Sequence, residues 1–313
     1  MGALRSLFLA GSQSRWLREQ ATRRGFVRRA VARFMPGERL DDALAAATVL
    51  APHGIPAVLT RLGENVDQDA EADEVREHYE GALDRIADLR PLAPGCEISV
   101  KLTQLGLDLD RERCFARLLA LVERAHQRGI FLWIDMEQSP YVDATLDLCR
   151  RARAARPGVG VCVQAYLRRT PADLEALVPT GTGVRLVKGA YMEAPEVAWP
   201  RKQDVDRAYF ELARALLADA ARQAGVRAVF GTHDTRLIDA IRAHARERGL
   251  PAEACEFHLL FGIQRQVQER LAREGARVRV LISYGAYWFP WYMRRLAERP
   301  ANVLFVFRSL FRR

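Results

Sequence analysis

Lysine is scarce in this chain. Of 48 basic residues among 313, only Lys101, Lys188 and Lys202 are lysines; the other 45 are arginines. An arginine therefore carries little information by position, and a lysine carries more. Cysteine is also sparse: five residues, odd in number, scattered, with no CxxC pair. That argues against a disulfide scaffold or a structural zinc site and fits a reducing compartment. No apolar run reaches the roughly 18 residues a membrane-spanning helix needs. No Gly-x-Gly-x-x-Gly follows a strand-like run, and no Gly-Lys-Ser/Thr loop occurs, so neither common nucleotide fold has its phosphate motif. No His, Cys and carboxylate set has metal-ligand spacing, and no metal is expected. Aromatic residues sit inside apolar runs rather than between basic ones, so the net charge of +9 points to no nucleic-acid partner.

What is present is ordinary globular material, 49% hydrophobic and 28% charged, ample for a large core. The first 50 residues read as a helical extension. Phe26, Val27, Ala30, Val31 and Phe34 recur at helical spacing with arginines between them, which fits a helix packed on the main domain with a solvated basic face; a membrane-surface helix is the alternative. Residues 1–18 lack the apolar core and cleavage site of a signal peptide. Their scarcity of acids leaves a transit peptide as a minor alternative, and the cytoplasm is the expected location, with a peripheral place at the inner face of the membrane left open.

From residue 51 to 313 one catalytic domain is expected. Eight short apolar runs begin at Ala57, Glu97, Phe131, Val159, Val184, Ala228, Glu256 and Val278, and amphipathic stretches separate them. Runs this apolar suit parallel strands buried on both faces. Eight βα units in about 230 residues indicate an α/β fold, a closed (β/α)8 barrel of the TIM type; an open doubly wound sheet is the competitor. In such barrels the active site is built at the strand C-termini. Six of the eight runs end there in polar groups: Lys101, Asp135 with Glu137, Gln164, Arg185 with Lys188, His233 with Asp234, and Ser283 with Tyr284. Charges in apolar strands are costly to bury unpaired and should face one another or a ligand. Near the C-terminus Glu298 lies within one helical turn of Arg294 and Arg295. Two arginines so held, with a nearby lysine, could clamp a carboxylate.

Seven strings in order, Arg61–Val66, Ile98–Leu102, Ile134–Glu137, Gln164–Arg168, Val184–Tyr191, Thr232–Asp234 and Tyr292–Asn302, together resemble the proline dehydrogenase family, in its small monofunctional bacterial form. The resemblance covers roughly residues 34–310. It implies a distorted barrel holding FAD non-covalently. It implies oxidation of L-proline to Δ1-pyrroline-5-carboxylate, with hydride passing from C5 of proline to flavin N5 and electrons then to a membrane quinone. A separate pyrroline-5-carboxylate dehydrogenase would act next.

The resemblance also implies residue roles. Lys101, Arg294 and Arg295 bind the proline carboxylate, and Glu298 orients the arginines. Tyr191 and Tyr284 pack around the proline ring. Asp135 stands in a charge network near the amine, and Arg185 lies close to flavin N5. Gln164, Val187, Lys188, Gly189, Ala190, Thr232 and His233 hold the FAD. Two positions depart from the family: His258 stands where glutamine is usual, and Asp234 where asparagine is common. His53, His78, His126 and His244 are expected at the surface, Tyr166 in packing, and the cysteines as buried filler. The alternative enzyme is a Schiff-base aldolase with Lys101 or Lys188 as nucleophile. A third reading, from the +9 charge, is a basic nucleic-acid- or membrane-binding protein.

Overall fold

The computed structural model describes residues 31, 33–89, 92, 95–289 and 292–293. Arg294, Arg295, Glu298 and most of the expected basic N-terminal helix lie outside them. Eight strands pair in parallel and in chain order, and the last closes on the first: β1 Ala57–Arg61, β2 Glu97–Val100, β3 Leu132–Ile134, β4 Val159–Gln164, β5 Gly183–Val187, β6 Ala228–Gly231, β7 Glu256–Leu260 and β8 Arg277–Tyr284. This is the (β/α)8 barrel expected. Closure leaves no unpaired sheet edge; the seam runs from Ala57 beside Val280 to Arg61 beside Tyr284.

Nine helices are described: α1 Leu40–Leu50, α2 Asp69–Asp88, α3 Arg111–Gln127, α4 Val142–Ala155, α5 Thr170–Leu177, α6 Lys202–Leu216, α7 Asp219–Gln223, α8 Thr235–Glu247 and α9 Arg265–Arg273. The amphipathic stretch between β5 and β6 holds two helices, because Ala218 takes an extended conformation and starts α7. Helix α2 shows why these segments coil as they do: Ala72, Val75, Tyr79, Ala82, Leu83 and Ile86 fall on one face and are all buried, the stripe a barrel-covering helix needs.

Alternation along each strand sorts side chains between two cores. Outward residues such as Leu59, Ile98, Ile134, Val161, Leu186, Phe257 and Ile282 meet the helices in the main core. Inward residues Val58, Trp133 and Val229 form a small core inside the barrel. Trp133 fits because two strands beside it carry no side chain there. A Cβ on Gly160 would stand 2.6 Å from the Trp133 ring, and one on Gly183 would meet Phe131 at 2.8 Å. At the N-terminal end of the barrel, Arg227 and Arg279 bind both Glu97 and Glu256 at 2.5–3.1 Å. The apolar plug and this ion network seal one end, so the inward polar residues at the strand C-termini are left facing a mouth.

A satellite core lies by that mouth: Val31, Phe34 and Met35 bury against Leu62, Trp288, Phe289 and Tyr292. All five cysteines are free and buried. His53 and His126 are exposed as expected, but His78 and His244 are partly buried. His78 bonds the Tyr284 hydroxyl at 2.9 Å, and burial pushes its pKa down to about 4.

Candidate active site

A cavity of about 660 Å3 opens at the C-terminal ends of the strands, and every strand or the loop after it contributes to its wall. Lys101, Asp135, Gln164, Arg185, Val187, Lys188, Gly189, Ala190, Tyr191, Thr232 and His233 all line it. Residues more than a hundred positions apart are thus brought into one wall.

Asp135 is the centre of the charge arrangement. Lys101 Nζ lies 2.9 Å from its Oδ2, Ser99 donates to its Oδ1 at 2.8 Å, and Arg185 Nη2 bonds the same Oδ1. Arg185 also donates to Ser99 Oγ at 2.8 Å. Burial opposes ionisation of Asp135, yet Lys101 and Arg185 hold its pKa below the usual carboxylate value. Lys101 is correspondingly held above the usual lysine range: burial works against its charge, and Asp135, Glu64 and Tyr191 outweigh that. Two cations share the single carboxylate of Asp135, and Glu64, also in the wall, acts on Lys101 as well.

A second cluster borders the cavity. Lys188 Nζ lies 2.5 Å from Asp206 and 2.8 Å from Asp234, and Lys202, at the start of α6, reaches both acids as well. Burial resists the charge on Asp234, but the two lysines hold its pKa down to about 2. Asp234 Oδ1 also caps α8, accepting from the Arg236 N–H. This departure from the family thus has a local partner for each oxygen. His233 lines the wall and accepts the Leu260 N–H at Nε2, 2.9 Å away.

Gly189 takes φ +111°, and a Cβ there would stand 2.2 Å from the Tyr166 ring. Only glycine meets both conditions. Tyr166, the residue expected in packing, fills the place a side chain there would take.

Tyr284 is not in the wall. Inward Leu281 and Ser283 line the cavity, so alternation turns Tyr284 outward, where it is buried against α2. The expectation that it packs around the proline ring is corrected by the strand register. Tyr287, in the segment after β8, lines the cavity in its place. The sequence reading also passed over Ser99, which binds both Asp135 and Arg185, and Glu64, which Tyr191 OH approaches at 3.4 Å. Glu64 follows Leu62 and Gly63 in a string already noted, just past the apolar run that ended the strand.

Loops are tied together around Glu64. Asn65 sits at φ +55°, its N–H donating to Thr103 Oγ1 at 3.0 Å. Thr103 in turn donates from its N–H and hydroxyl to Glu137 at 3.1 and 2.6 Å. Burial pushes the Glu137 pKa up to about 7.

Five buried polar atoms of wall residues have no hydrogen-bond partner among the described residues: Thr60 Oγ1, Gln164 Oε1, Arg185 Nη1, His258 Nδ1 and Ser283 Oγ. Each such atom costs about 1–3 kcal/mol when left unmatched. A polar ligand would match them. Among the described residues no group of three or more His, Cys, Asp or Glu could hold a metal ion, and no helix is long and apolar enough to cross a membrane.

The proline dehydrogenase family profile matches residues 43–308. Proline dehydrogenase 1 of Bacillus subtilis strain 168 is 34% identical, over 99% of this chain and 100% of its own. Proline dehydrogenase of Deinococcus radiodurans is 34% identical, over 90% of this chain and 89% of its own. Among solved structures, proline utilization A from Bdellovibrio bacteriovorus, inactivated by N-propargylglycine, superposes with a TM-score of 0.77 at 24% identity. The match covers 87% of this chain and 32% of that one, and it bears on the fold.

Proposed function

Because the chain belongs to the proline dehydrogenase family, whose reaction is the oxidation of proline, we propose that the cavity at the barrel mouth holds FAD and L-proline together. The observation that carries this reading is the wall itself: Lys101 and Arg185 paired to the single carboxylate of Asp135, beside five unmatched buried polar atoms. A carboxylate ligand suits the first, and a flavin ring, rich in carbonyl and ring-nitrogen acceptors, suits the donors of the second.

The chemistry a flavin supplies when bound is two-electron acceptance, C5 of proline giving its hydride to N5. The protein's part is positioning and charge. Lys101 takes the proline carboxylate, with Arg294 and Arg295 completing the clamp and Glu298 orienting them. Tyr191 and Tyr287 bound the space beside the ring. Asp135, held ionised, is a poor base. Its role is electrostatic: it fixes Lys101 and Arg185 and favours positive charge developing on the substrate nitrogen as the C=N bond forms. The amine reacts unprotonated, so its proton leaves before hydride does. Arg185 would present its cation to the bound flavin ring and favour the electron acceptance that the ring supplies. Gln164, Val187, Lys188, Gly189, Ala190, Thr232 and His233 hold the rest of the cofactor. The electron acceptor is a membrane quinone, and a separate pyrroline-5-carboxylate dehydrogenase consumes the product. Residues 1–50 are assigned to an N-terminal extension and 51–313 to the catalytic domain; Ala43, Leu44, Ala47 and Leu50 of α1, buried in the main core, support the packing of its described end on the barrel.

The aldolase reading is the weaker one. A Schiff-base lysine must lose its proton to attack, whereas Lys101 is held above the usual lysine range and Lys188 lies between two carboxylates. The deciding experiment is a visible spectrum of the purified protein before and after anaerobic L-proline. A flavin band that bleaches is expected. A colourless protein that FAD cannot reconstitute would overturn the reading, and a flavin that stays yellow would point to another substrate.

A further inference from the structure

His258 takes no part in the charge cluster around Asp135, yet it places a bare hydrogen-bond acceptor in the cavity wall. It faces inward from β7, lines the cavity and is 4% exposed. Its Nε2 lies 2.9 Å from Glu256 Oε1. Glu256 is gripped at the same oxygen by Arg227 and Arg279, each at 2.5 Å. Although burial opposes it, the hydrogen bonds from His258 and Arg227 keep this acid well below the carboxylate range. An ionised carboxylate can only accept, so Nε2 carries the ring proton. Burial keeps the imidazole neutral, its pKa pushed down to about 3. Nδ1 is therefore a lone pair, and it has no donor among the described residues. The ring is also hemmed by Trp133, edge-on at 5.6 Å and 82°. The protein thus spends a fixed tautomer on pointing an acceptor at nothing of its own.

The other unmatched atoms of the wall residues are of mixed type: Arg185 Nη1 donates, Gln164 Oε1 accepts, and the hydroxyls of Thr60 and Ser283 do either. A ligand edge that alternates carbonyl and N–H matches such a set. In an oxidised isoalloxazine that edge is the imide, with its single N–H.

We propose, resting on the flavin reading above, that His258 Nδ1 accepts a hydrogen bond from the imide N–H of the bound isoalloxazine, with Glu256 acting as the positioning residue that fixes the tautomer. His258 is then a recognition residue for the cofactor. It selects the ring's imide edge by an acceptor that the Glu256 carboxylate cannot let become a donor.

The test is binding, without proline present, so that the substrate's own N–H cannot supply the donor. Apo-protein is titrated with FAD and with FAD methylated at the imide nitrogen, and Kd is read from flavin fluorescence. His258→Leu keeps bulk and removes the acceptor; His258→Asn places an amide oxygen near the site of Nδ1. Glu256 keeps both arginines in either variant, and circular dichroism checks the fold. FAD should bind His258→Leu about tenfold more weakly than the unaltered protein, and His258→Asn should recover most of the loss. Methylation should weaken binding to the unaltered protein about tenfold and make no further difference to His258→Leu. Equal Kd values across the three proteins, or an undiminished methyl effect in His258→Leu, would overturn the proposal while leaving FAD binding intact. Failure of the unaltered protein to bind FAD at all would instead remove the flavin reading on which it rests.

Discussion

Glu137 is a carboxylate placed where charge is expensive. It is buried, and its oxygens take the Thr103 N–H and hydroxyl that in turn hold Asn65 and the loop bearing Glu64. Burial raises its pKa from 4.5 to about 7. A raised acid stabilises the fold fully below its unfolded value and loses that contribution as pH rises through the folded one. Glu137→Gln should therefore remove a fall in unfolding free energy of about 3 kcal/mol between pH 4.5 and 7. Denaturant melts of both proteins across that window give the difference directly, and a flat difference would mean Glu137 is not held protonated. The histidines work oppositely, since His78 loses stability as pH falls from 6.5 toward 4, but they cancel in the comparison. At this scale the charged wall was legible: Lys101, Asp135, Gln164 and Arg185 stood out as polar groups ending apolar runs. Tyr284 was misplaced because the ends were read without counting alternation. From inward Ser283 the next residue must face out. Ser99 left no signal, since a serine in a strand looks like any other small residue.

Elements were more legible than their interruptions. The eight runs became eight strands because each carries enough β-branched and apolar residues to be buried on both faces. The break at Ala218 was invisible, because neither proline nor glycine marks it and α6 and α7 keep a shared apolar face through Leu216 and Ala221. The fit of Trp133 inside the barrel was likewise hidden. Gly160 and Gly183 read as ordinary strand glycines until a large ring is found beside them. Gly160→Ala should cost about 1–3 kcal/mol by overpacking, since the obstacles are the Trp133 ring at 2.6 Å and the Gly183 carbonyl at 2.8 Å. Chemical unfolding measures it, and a second change, Trp133→Phe, should return part of the loss. An unchanged midpoint in Gly160→Ala would show that the ring has room to move.

For the whole molecule, the arginine excess belongs to the sequence of residues 1–30 and 294–313; among the described residues acids match the basic side chains and the arginines are spread over ion pairs. Arg117, Arg124, Arg151 and Arg169 each reach acids on a neighbouring helix, and most of these pairs are exposed enough to add little stability singly. The fold class could be read early because the rhythm of eight repeats needs no single residue to be right.

The five buried thiols can serve as timers. Burial pushes Cys96, Cys114 and Cys149 up to about 12 and Cys255 to about 11, so as thiols in the folded protein they are nearly inert toward alkylating reagents. Cys162 is raised too, but it alone lines the cavity. In native protein a small alkylating reagent should mark Cys162 first, at a rate that FAD slows, and reach the other four only as their own shells open. Mass spectrometry of the labelled peptides would read four separate opening rates from unmodified protein beside the Cys162 rate; equal rates at those four would mean that the barrel opens only as a whole.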